Sequence, residues 1–142
     1  MRLVLDTNIL IAALIKDSLT RQIIFLPDFE FLLPEYALEE LTRHRGKIAR
    51  HSHLSYSEID LLLNLLLEFV TVVPAKTILA HLKTANALIG DIDRDDVPFV
   101  ALALAVENDG IWSNDRGFEN LPGIKLWKTS DIKAYLQKRS SG

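Results

Sequence analysis

Apolar positions come in two textures along this chain. Short apolar or β-branched runs, such as Leu3-Val4-Leu5 and Val70-Thr71-Val72-Val73, predict strands. Between them lie longer stretches with helical spacing. The first run ends in Asp6-Thr7-Asn8, all helix-capping residue types, and Ile9 onward is apolar again. This predicts a strand over residues 2–6 feeding directly into a buried helix. Further along, helices are expected over 19–26, 35–43, from Ser55 or Ser57 to Phe69, over 76–89, 97–107 and 129–138, and strands over 30–33, 70–73, 111–113 and 124–127. Pro34 and Pro98 fit the first turns of their helices, and Gly90 ends the one before it.

Strand and helix alternate throughout, with no internal repeat or low-complexity linker. Alternation predicts an α/β fold of three layers, a central parallel sheet of about five strands between helices. Right-handed crossovers favour the order 3-2-1-4-5. The chain order then reverses between strands one and four, and ligands bind outside the carboxyl ends of strands at such a point. Asp6 and Asp115 fall there. Residues 1–138 read as a single domain, with 139–142 as a frayed tail or a cloning remnant.

Composition narrows the chemistry. With 142 residues, 49% hydrophobic and 25% charged, the chain is long enough for a substantial core and has the balance of a soluble protein. The absence of cysteine excludes disulfides, zinc–thiolate sites and thiol nucleophiles, and suits a reducing compartment such as the cytoplasm. A net charge of -3 argues against a broadly basic coat, so a nucleic acid would be met by a local patch or through metal ions. No signal peptide is expected, and the leucine-rich segment 61–73 is too short and too interrupted (Asn64, Glu68, Thr71) to span a bilayer.

Four acidic positions stand out: Asp6 at the end of the first strand, Glu40 inside the helix after the second, Asp96 opening the helix before the fourth, and Asp115 two residues beyond it. Each has a bland reading, as a cap, a solvated helix residue or a turn residue, and Glu39 is an alternative to Glu40. Jointly, the inferred topology gathers them at one sheet edge. Carboxylates held close together repel, and a hard divalent ion removes the conflict. Without cysteine or a histidine pair, the donors suit magnesium or manganese rather than zinc, and metal-assisted displacement at phosphorus.

At Leu3-Val4-Leu5-Asp6-Thr7-Asn8-Ile9-Leu10, Glu40-Leu41, the run from Asp96 to Leu104, and Ile111-Trp112-Ser113-Asn114-Asp115-Arg116-Gly117-Phe118, the sequence resembles PIN-domain nucleases, particularly the VapC-like toxins of prokaryotic toxin–antitoxin pairs. The resemblance covers nearly the whole chain. It implies an endoribonuclease dependent on Mg2+ or Mn2+, with Asp6, Glu40, Asp96 and Asp115 as the acidic quartet and Asp6, Asp96 and Asp115 on the metal. Asn8 and Ser113 would be polar supports, Ser113 standing where the family more often has threonine. Asp93 matches an extra acidic position of one branch. The implied reaction is metal-assisted attack of water at a backbone phosphorus, leaving 5′-phosphate and 3′-hydroxyl ends.

The one markedly basic stretch, Arg43 to His53, reads as a helix end and loop able to hold phosphates through Arg45, Lys47 and Arg50, with Arg116 beside Asp115 as a further contact. In the helix ending at Phe69, Ile59, Leu62, Leu63, Leu66 and Phe69 form an inward stripe. Leu61 and Leu65 lie off it, on a face suited to a homodimer or an antitoxin segment. Three other classes fit poorly. A haloacid-dehalogenase-like phosphatase needs an aspartate where Asn8 stands, a receiver domain needs an aspartate after strand three, and a Rossmann binder needs a glycine-rich first turn. A catalytically silent PIN-like scaffold is the remaining alternative.

Overall fold

The computed structural model describes residues 1–141. In chain order its elements are β1 (Arg2–Leu5), α1 (Thr7–Ile15), α2 (Leu19–Ile24), β2 (Glu30–Pro34), α3 (Tyr36–Arg43), α4 (Arg45–Ser52), α5 (Tyr56–Leu67), β3 (Val70–Val73), α6 (Ala75–Ile78), α7 (Leu82–Ile89), α8 (Val97–Ala105), β4 (Ile111–Trp112), β5 (Leu126–Trp127) and α9 (Thr129–Ser141). Short 3-10 turns lie at Leu79–His81, Arg94–Asp96 and Arg116–Phe118. All strand pairs are parallel, and the order is β3-β2-β1-β4-β5. This is the expected topology, with the reversal between β1 and β4.

Successive side chains of a strand point to opposite faces. Leu3, Val4 and Leu5 are all fully buried, so helices cover both faces of β1. The same double burial explains α1, which is apolar nearly all round, and α8, where Phe99, Val100, Ala101 and Leu102 are buried in succession. Helix α5 starts with a reciprocal cap: Ser55 Oγ accepts from the Glu58 N–H and Glu58 from the Ser55 N–H.

The structure departs from the sequence reading in several places, among them the fifth strand, which is Leu126–Trp127 and not 124–127. The basic stretch is not a loop but helix α4, anchored by the buried Ile48. The expected helix 76–89 is broken by the 3-10 turn at Leu79–His81. Phe69 lies outside the inward stripe of α5; it is largely exposed and meets Phe25 edge-on at 4.9 Å. The expected tail from 139 is the last turn of α9 through Ser141, because Arg139 bonds Asp28 at 2.9 Å and the Ser140 hydroxyl donates to the Leu136 carbonyl. Gly142 lies outside the described residues.

Only two residues long, β4 is held in register by its surroundings: Val4 pairs with Ile111 and Leu5 with Trp112. Fully buried Trp112 donates through Nε1 to Thr129 Oγ1 at 3.0 Å and tilts against Phe31. Gly110 enters the strand at φ +137°, and a Cβ there would lie 2.3 Å from the Lys125 carbonyl oxygen. Neither the torsion nor the space tolerates a side chain. The Gly110→Ala variant is therefore expected to lose more than about 1 kcal/mol of stability, read as a lowered urea midpoint at unchanged slope.

Candidate active site

The loops leaving the carboxyl ends of β1 and β4 carry the first pair of acids. Asp6 caps α1, its Oδ1 accepting from the Asn8 N–H at 3.4 Å. Its Oδ2 accepts from Ser113 Oγ at 2.7 Å. The same serine oxygen accepts the Asp115 N–H at 2.9 Å. Asp115 Oδ1 in turn accepts from the Gly117 N–H at 2.8 Å, which closes the 3-10 turn after it. Ser113 is fully buried, so its hydroxyl serves both acids and not solvent.

Glu40 arrives from α3. It is buried with Ala37 and Leu41 on the same helix, whereas Glu39 is exposed, so Glu40 is the inward acid. Thr7 Oγ1 donates to its Oε1 at 2.8 Å, placing it one residue from Asp6. Asp96 stands at the end of the Arg94–Asp96 turn, immediately before α8. It is 7% exposed, and its Oδ2 is buried with no hydrogen-bond partner. Asp96 makes no side-chain cap bond, so its bland reading as a helix cap is not met.

Burial raises the pKa of Asp6, Glu40 and Asp96 above the ordinary carboxylate range. For Asp6 the Ser113 bond opposes burial, and for Glu40 the Thr7 bond does. Asp96 has no such relief. Burial, then the charges of Asp6, Asp93, Asp115 and Glu40, push it from 3.8 up to about 8. Asp6, Glu40 and Asp115 thus all lie within electrostatic range of Asp96.

Of the predicted supports, Ser113 bridges two acids, while the Asn8 side chain lines a pocket of about 250 Å³ with Asp6, Ile9, Asn114 and Asp115. Asp93 Oδ1 accepts from the Asp95 N–H at 2.9 Å and so shapes the turn presenting Asp96. Lys47, Arg50 and Arg116 are exposed. The part-exposed Arg45 guanidinium pairs with Asp60 and lies over the Tyr56 ring. Two features escaped the sequence reading. Thr7 acts as a donor to Glu40, and the Tyr36 hydroxyl donates to Asp95 Oδ1 at 2.8 Å while accepting from Arg43 at 2.8 Å. The helical spacing of Tyr36 and Glu40 was the available signal.

Among the described residues, no three acidic or histidine side chains form a ready-made metal cage. The donors nonetheless suit a hard divalent cation. They are all oxygen, they repel one another, and one buried carboxylate oxygen of Asp96 has no partner. Magnesium is commonly held through one or two carboxylates plus waters rather than by a closed protein cage.

A carboxyl group whose pKa is raised by folding keeps its proton to higher pH in the folded state than in the unfolded one. Its contribution to stability is present at low pH and is lost as pH rises. For Asp96 the window runs from about pH 4 to about pH 8. In chelator, the melting temperature is expected to fall as pH climbs through that window. Asp96→Asn should flatten the decline and melt higher than wild type near pH 8. Parallel curves for the two proteins would contradict this account.

The family model for the PIN domain matches residues 4–137, nearly the entire chain. Among curated proteins, no sequence matches this one. Two structures are similar in fold. One is a chain in the crystal structure of VapBC2 from Rickettsia felis bound to a DNA fragment from their promoter, at TM-score 0.69 and 18% identity, covering 90% of this chain and 98% of that one. The other is a chain of VapBC-1 from nontypeable Haemophilus influenzae, at TM-score 0.66 and 21% identity, covering 92% and 99%. The length of the family match, together with an acid-bearing edge at the β1/β4 reversal, shows that the chain belongs to the PIN domain family.

Proposed function

We propose that this protein is an endoribonuclease dependent on Mg2+ or Mn2+, acting as the toxin of a toxin–antitoxin pair in the cytoplasm. The observation that carries the reading is Asp96, a buried carboxylate with an unpartnered oxygen, set among Asp6, Glu40 and Asp115. Such an arrangement disfavours the folded chain by itself and is relieved by a cation. When bound, magnesium or manganese supplies Lewis-acid charge and makes a coordinated water more acidic.

The chain's own residues have distinct tasks in this reading. Asp6, Asp96 and Asp115 hold the cation. Ser113 fixes the Asp6 carboxylate and the Asp115 backbone at once, so those two acids keep a set separation. Glu40, oriented by Thr7, faces Asp6 and is placed to orient the attacking water and accept its proton. Arg116 follows Asp115 directly and is placed to hold a neighbouring phosphate; Lys47 and Arg50 are available further out along the strand of RNA.

For partners, the VapC-like resemblance and the two VapBC matches support an antitoxin. A groove of about 620 Å³ beside α5 suits its apolar segment. Leu14, Leu54, Leu62 and Leu65 line it, together with Leu61, which is 74% exposed. The expected homodimer would draw on the same face. Among the described residues, no helix is long and apolar enough to cross a membrane.

The lack of a preformed cage favours one second reading, a PIN-like scaffold without catalysis. Cleavage separates the two. Asp6→Asn still offers an oxygen to Ser113, so the fold is expected to persist. RNA cleavage with Mg2+ should drop by at least the roughly 100-fold that losing an outer-shell partner of a metal ligand can cost. Cleavage products should carry 5′-phosphate ends. Undiminished cleavage by a folded Asp6→Asn protein would remove the enzymatic assignment. Separately, Arg116→Ala should weaken RNA binding and make the slope of log affinity against log salt shallower by about 0.7.

A further inference from the structure

Glu40 and Asp96 reach the site from different elements, α3 and the Arg94–Asp96 turn. Their charges repel across that junction, as do those of Glu40 and Asp95. Something must hold the two elements together against this. Among the described residues, one hydrogen bond joins α3 to the turn: Tyr36 hydroxyl to Asp95 Oδ1, at 2.8 Å. A phenol has a single proton. Arg43 Nη2 donates into the same hydroxyl oxygen at 2.8 Å, so that proton is directed to Asp95. Tyr36 stands one helical turn before Glu40, and Asp95 directly precedes Asp96. The Asp95 backbone is itself tied down by Asp93.

We propose that Tyr36, Asp95 and Arg43 form a latch that sets the separation of Glu40 and Asp96 and thereby the affinity of the site for its divalent cation. The inference rests on the metal-dependent reading above. These are positioning residues, since none of them is among the acids that hold the cation. Arg43 has a second effect: its cation lowers the Glu40 pKa and moderates the acidic field at this end of the site. Tyr36 is half-buried and Asp95 and Arg43 are exposed, so the latch contributes little to global stability. Its contribution lies in geometry.

The test is a calorimetric titration of the purified chain with Mn2+, without RNA. Tyr36→Phe removes only the hydroxyl. It should weaken Mn2+ binding about tenfold or more, within the range seen when the hydrogen-bonding partner of a metal ligand is lost, and leave the melting temperature in chelator nearly unchanged. Asp95→Ala should match it, and the double variant should add little to either single one. Asp95→Asn keeps an oxygen for the Tyr36 hydroxyl and should recover most of the affinity. Should Tyr36→Phe fail to fold, the contrast between Asp95→Ala and Asp95→Asn carries the same comparison. Wild-type affinity in a folded Tyr36→Phe protein overturns the latch while leaving the metal site intact. An Asp95→Asn variant as weak as Asp95→Ala also overturns it, because charge and not the bond would then be responsible. Absence of Mn2+ binding by the wild-type chain removes the metal reading and the latch with it.

Discussion

The hydrogen bond from Ser113 to Asp6 is the interaction on which the rest of the site depends. It joins residues 107 positions apart in sequence, across the two strands where the chain order reverses. Asp6 is 3% exposed, a costly place for a carboxylate without a partner. A donor at 2.7 Å offsets that cost, and the same oxygen receives the Asp115 amide. One hydroxyl therefore fixes two acids relative to each other. A residue with no hydroxyl at position 113 would leave both Asp6 Oδ2 and the Asp115 amide without this partner.

That hydroxyl is only as well placed as β4, and β4 is short. Two paired residues do not define a strand unless the neighbours do. Here Trp112 fills the core and is pinned through Nε1 to Thr129, while Asn114 donates to Thr129 Oγ1 and accepts from its backbone N–H. The start of α9 thus serves as a third attachment for the loop that carries Asp115. Gly110 sets the entry on the other side. At this edge side chains complete what the ladder is too short to supply.

Much of this was legible in the sequence. The continuous apolar run of β1 and the uniformly apolar α8 forced a doubly covered parallel sheet, and the sheet forced Asp6 and Asp115 to one edge. The choice between Glu39 and Glu40 was not legible, because neighbouring residues on a helix differ by a rotation that only packing decides; Ala37 and Leu41 decide it. Helix α4 was hidden because Ile48 is its single buried residue in a polar, basic segment. The pairing of Arg45 with Asp60 was hidden because Asp60 lies in the next helix. Tyr36 and Asp95 are 59 residues apart, so their bond follows from the tertiary fold, although the helical spacing of Tyr36 and Glu40 is visible in the sequence.

The four acids are not equivalent, and the difference bears on why the site exists. Asp6, Glu40 and Asp115 each accept a hydrogen bond from a fixed donor, respectively Ser113, Thr7 and the Gly117 amide. These bonds are available whether or not a ligand is present. Asp96 is the exception, with one oxygen buried and unpaired and four acidic neighbours raising its pKa. An asparagine there would carry no charge to bury. A residue that opposes folding, beside acids that each have a fixed donor, points to a role other than folding. The imbalance is concentrated on one buried oxygen at the carboxyl edge of the sheet, where a cation would satisfy it.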